Sequence, residues 1–166
     1  MEKDFKAFAA QKLAEIYGLN DYERVLRALK EADLAFADVV PVRFGMEFLA
    51  ARLALAAHGW SRACKENQVK DPGAENLFFK AVMQSFQSQK FVEVAASFSE
   101  YLHAPGAAEK PILSLSALMM QRLGITDAIV KDKGIVLPPG FKLLIEVSEA
   151  FKSAFENDFF EFTDVV

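Results

Sequence analysis

At 166 residues the chain falls in the size range of one domain, and with 52% hydrophobic and 25% charged residues it is excluded from the intrinsically disordered class. The net charge is -4 and the 19 Lys and Arg residues are scattered, which argues against a nucleic-acid partner, since such binding rests on clustered positive charge. The one cysteine, Cys64, excludes an internal disulfide and fits a reducing cytoplasm.

The first residues, Met1-Glu2-Lys3-Asp4-Phe5, carry charge without an apolar run, so no signal peptide is expected. Apolar residues at Phe5, Phe8, Ala9, Leu13 and Ile16 fall on one helical stripe, which Gly18 is expected to close. Asp21 is placed to cap a second helix with the stripe Tyr22, Val25, Leu26, Leu29 and Phe36, and Pro41 ends or re-aims it. Residues 42–58 form a third helix, apolar nearly all round and therefore central, with Gly59 as its stop. Its stretch 39–57 is the most apolar of the chain, but Pro41, Arg43, Glu47 and Arg52 make it a poor membrane span, and no membrane role is expected. Gly45 inside this helix costs about 1 kcal/mol relative to alanine. Close approach of a neighbouring helix is the expected reason.

Residues 60–70 are polar, with Ser61 a cap for a short helix. Asp71-Pro72 is a start signal for the next one. Phe78, Val82 and Phe86 give its stripe; Phe91, Val94, Ala95, Phe98 and Leu102 give another. From Phe86 to Phe91 the phase jumps by roughly 140°, so either the helix breaks near residues 87–90 or one long helix changes its buried face there. Pro105-Gly106 marks a boundary, residues 111–123 form an apolar helix closed by Gly124, and residues 126–133 form a short helix closed by Gly134. After the turn at Leu137-Pro138-Pro139-Gly140, a last helix starts near Phe141. No run of strict alternation predicts a strand, apart from a short candidate at residues 159–166. The expected fold is all-α: one helical domain over residues 1–166, a bundle of about six or seven helices around residues 42–58.

Few residues offer chemistry. Glu100 and His103 have the spacing of a di-iron ligand pair. No second such pair exists, because Leu55 precedes the other histidine, His58, and both residues point away from their helix's apolar stripe. Residues 112–133 have the outline of a helix-turn-helix, but the second helix is short and its charges, Asp127, Lys131, Asp132 and Lys133, cancel. Cys64 has Arg62 and Lys65 nearby but no base at a matching spacing, so an inert thiol is expected. Glu47 lies in the most apolar helix, where a lone buried carboxylate has a raised pKa. Arg43, one turn earlier, makes a buried ion pair the expected reading. No catalytic residue, metal or other cofactor is predicted.

The carboxyl-terminal stretch is unusual. Between Glu146 and Val166 there are six acidic residues and one basic, Lys152, with Phe151, Phe155, Phe159, Phe160 and Phe162 interleaved. Phe151, Phe155 and Phe159 share a stripe that is covered either by the bundle or by a partner. With the acidic charge late in a helix, where the macrodipole disfavours it, the expectation is that Phe151, Phe155, Phe159 and Phe162 pack at a homodimer or partner interface. Function is therefore expected to be an interaction or assembly domain, self-associating and without catalysis. An apolar-ligand bundle and a helix-turn-helix regulator through residues 112–133 are the alternatives.

Overall fold

The amphipathic segments fold as helices, with their ends displaced from several of the expected positions. The computed structural model describes residues 4–89, 91–125, 130–131, 134–135 and 138–164. Helix α1 (Phe5–Gly18) starts at Asp4, whose carboxylate accepts from the Ala7 amide at 3.0 Å, and it buries Ala9, Leu13 and Ile16. Gly18 stays helical. The left-handed residue that turns the chain is Asn20, at φ 46°, because a short polar side chain tolerates that region. Helix α2 (Tyr22–Ala32) buries Val25, Leu26 and Leu29. Asp21 precedes it but does not cap it, since Arg52 takes both carboxylate oxygens, at 2.7 and 3.0 Å. Phe36 lies beyond α2, buried in a 3₁₀ turn over Leu34–Phe36.

Helix α3 (Pro41–Glu66) is longer than the sequence suggested. Pro41 sits in its first turn, where a missing amide proton costs nothing. At Gly59 the helix continues. A Cβ there would stand 3.0 Å from Glu156 Cγ, so the glycine serves close packing and not termination. The polar residues expected to start a separate helix at Ser61 are its last turns. They bury Trp60, Ala63 and Cys64, and the indole donates to the Ala74 carbonyl at 2.7 Å.

Asp71-Pro72 opens a turn, with Asp71 Oδ1 accepting from the Gly73 amide at 2.9 Å. A 3₁₀ turn, Ala74–Asn76, then leads into α4 (Leu77–Gln89). Helix α5 (Val92–Leu102) is separate from α4, which runs on to Gln89, so of the two expected outcomes the chain takes the break. Helix α6 (Pro111–Arg122) ends at a left-handed Gly124, φ 79°. The last helix, α7 (Pro139–Thr163), includes Phe159, so the candidate strand there is helical through Thr163.

One expected helix is corrected. Val130–Lys131 (β1) and Gly134–Ile135 (β2) form a short antiparallel pair, Val130 opposite Ile135 and Lys131 opposite Gly134. The rest of the segment 126–133 lies outside the described residues.

The bundle is all-α apart from that pair. Helix α3 is its axis, packed by α5, α7, α6 and α2, with α1 against α4. A helix apolar on most sides can be sheathed this way, and α3 buries Phe44, Phe48, Leu53 and Leu55 among others.

Candidate functional site

One face of α3 is not sheathed. Val42, Gly45, Met46 and Leu49 recur at i, i+3, i+4 and i+7, so they line up along one side of the helix. The first residue of α2 and the first turn of α5 stand on either side and leave a groove of about 510 Å³ between them. Tyr22 forms one wall. Its ring lies so close to α3 that a Cβ on Gly45 would be 3.0 Å from it, which explains the glycine in mid-helix. Phe91, Val92 and Val94 form the other wall. Val42 is 66% exposed and Val92 is 77% exposed, unusual values for valine. A smaller pocket of about 170 Å³ adjoins the groove at Tyr22, Gly45 and Leu49, and runs toward Asp21 and Arg52. Among the described residues one carboxylate lines the groove, Glu93; the Tyr22 hydroxyl donates at 3.2 Å to Glu23, which borders a different pocket with Arg27 and Lys30.

Next to this face, Glu47 is buried at 2% exposure. Arg122 reaches it from α6 with two parallel contacts, Nε to Oε2 at 2.9 Å and an Nη to Oε1 at 3.1 Å. From α5, the Tyr101 hydroxyl donates at 2.7 Å and the Ser97 hydroxyl at 3.1 Å. Burial pushes the carboxyl pKa up. The hydrogen bonds from Arg122, Tyr101 and Ser97, with the Arg122 charge, outweigh it and hold the pKa below the ordinary value. Burial and the same carboxylate push the Tyr101 phenol up. Glu47 is thus an ionised, fully hydrogen-bonded tie between three helices, and has no lone pair left for a substrate.

The expected pairing with Arg43 is the minor contact. Arg43 Nε stands 3.6 Å from Glu47 Oε1, but its side chain is half exposed, and it also donates to the Arg122 carbonyl at 3.2 Å. The expected rise in pKa applies to a lone carboxylate, and Glu47 is not alone. Sequence spacing found the partner on the same helix and missed the one 75 residues away. The available signal was an arginine in the last turn of an apolar helix, just ahead of Gly124.

The other singled-out residues are not brought together. Glu100 is exposed and pairs with Arg122. His103 is exposed, with Nδ1 at 2.9 Å from the Ser99 carbonyl of its own helix. His58 is half-buried against the Leu102 carbonyl at 3.0 Å, and burial lowers its pKa. Burial, with Glu75 nearby, pushes the Cys64 thiol up to about 11, the reverse of what activates a nucleophile. Among the described residues no three His, Cys, Asp or Glu side chains converge as a metal site would need.

Phe151, Phe155 and Phe159 occupy the chain's own core, which corrects the expected interface at these three positions, while Phe160 and Phe162 pack partly buried against that core. Phe159 meets Trp60 edge-on at 5.5 Å and lies 5.7 Å from Phe78, while Phe162 stacks on Phe8 at 3.8 Å. The basic groups that offset the late acidic charge are also internal. Lys12 stands 2.6 Å from Asp158, and Arg62 stands 3.5 Å from Glu156.

Within the helix-turn-helix outline, Val130–Lys131 are strand where the second helix was expected, and residues 126–129 and 132–133 lie outside the described residues. Among the described residues, no helix is long and apolar enough to cross a membrane. Comparison of the chain with protein-family models, with curated proteins and with solved structures finds no match.

Proposed function

We propose that the chain is a helical interaction domain that docks a protein partner in the groove between α3 and the first turn of α5. The observation that carries this reading is the pair of exposed valines, Val42 and Val92, over a floor of Met46 and Leu49. Apolar side chains held open to water along one helical face are what a partner's apolar side chains cover. The floor from Val42 to Leu49 spans about two helical turns, roughly 10 Å, which suits two or three anchor side chains. Phe151, Phe155 and Phe159 are buried within the chain itself, so self-association through them is no part of this proposal. The scattered basic charge supports a protein partner over a nucleic acid, and the lone buried Cys64 fits the reducing cytoplasm.

Capture from extracts of the source cell tests this. The wild-type chain is expected to retain a protein that the double variant Val42→Ser, Val92→Ser loses, with the helical circular dichroism of both unchanged. An identical retained set for the two chains refutes it. The groove volume, about 510 Å³, also lies in the range of small-ligand sites, which favours an apolar small molecule as the second reading. A denaturing mass spectrum of the purified chain reveals such a ligand if it is carried along.

A further inference from the structure

We draw no further inference here: the strongest candidate, the apolar groove between α3 and the first turn of α5, belongs to the site already described, and with Glu93 the one carboxylate among its described lining residues nothing in the structure shows what covers it.

Discussion

The molecule carries two apolar helical stripes with opposite fates. The phenylalanines of α7 are conspicuous in the sequence, yet they are covered by the chain itself: Phe159 sits among Trp60, Phe8 and Phe78. The α3 face at Val42, Gly45, Met46 and Leu49 is inconspicuous, because it belongs to a helix apolar on nearly every side, and part of it is left open. Apolar content thus ranks these stripes in the wrong order as interaction surfaces. What decides is whether the chain has another element to lay over the stripe. α1 and the end of α3 cover α7, while α2 and α5 diverge over the start of α3.

The deepest test of the contrast removes the covered stripe. Deleting residues 151–166 exposes Trp60 and Phe8 and discards three buried rings, each worth roughly 1.5–3 kcal/mol. Against a total stability of about 5–15 kcal/mol, the truncated chain is expected to unfold or aggregate, as circular dichroism and light scattering would show. A folded, soluble, monomeric truncation would return the stripe to the role of an interface.

Arg122→Met is the next largest. It strands Glu47 in the core, and breaking a buried ion pair costs about 3–5 kcal/mol. In a chain of this size that lowers the melting temperature by roughly 6–20 °C. The pH dependence distinguishes this cause from lost packing. In the wild type the Glu47 pKa lies below its unfolded value, so its contribution is present above the ordinary carboxylate range and is lost as pH falls through the depressed pKa. Without Arg122, burial dominates and raises that pKa. The variant then takes up a proton on folding, and its deficit shrinks as the pH is lowered toward 4 (about the ordinary glutamate value). A deficit independent of pH in urea titrations would mean that Glu47 is not the stranded charge.

Gly45→Ala has a smaller expected effect. Alanine gains about 1 kcal/mol of helix propensity, and its methyl meets the Tyr22 ring at 3.0 Å. The two oppose each other, so the unfolding free energy from denaturant titration should change by less than about 1 kcal/mol, while the groove narrows or Tyr22 swings away. A gain of the full helix propensity, with partner capture unchanged, would show that Tyr22 does not hold the wall.

The smallest change in stability is expected where the proposed function is greatest. Val42→Ser with Val92→Ser alters two exposed side chains and should shift stability by about 0.5 kcal/mol or less per site. A loss of several kcal/mol on equilibrium unfolding would place these valines in the core and close the groove. Serine at Phe151 and Phe155 should by contrast behave as core substitutions do.

The sequence by itself determined the helical class, the central place of residues 42–58, the change of phase between Phe86 and Phe91, and a close contact at Gly45. These are local matters: a 3.6-residue period, a phase jump and a missing side chain are written in neighbouring residues. It misplaced the end of α3 at Gly59, because a glycine reads alike whether it stops a helix or admits Glu156. It predicted helix at Val130–Lys131, where four to eight residues fit either period. The partner of Glu47, the cover over Phe159 and the opening above Met46 were decided only by the tertiary structure. Each depends on which distant element arrives: Arg122 from α6, Phe8 from α1, and Val92 from the wall of α5. Periodicity tells a side chain which way to face, and only the packed bundle settles what it meets there.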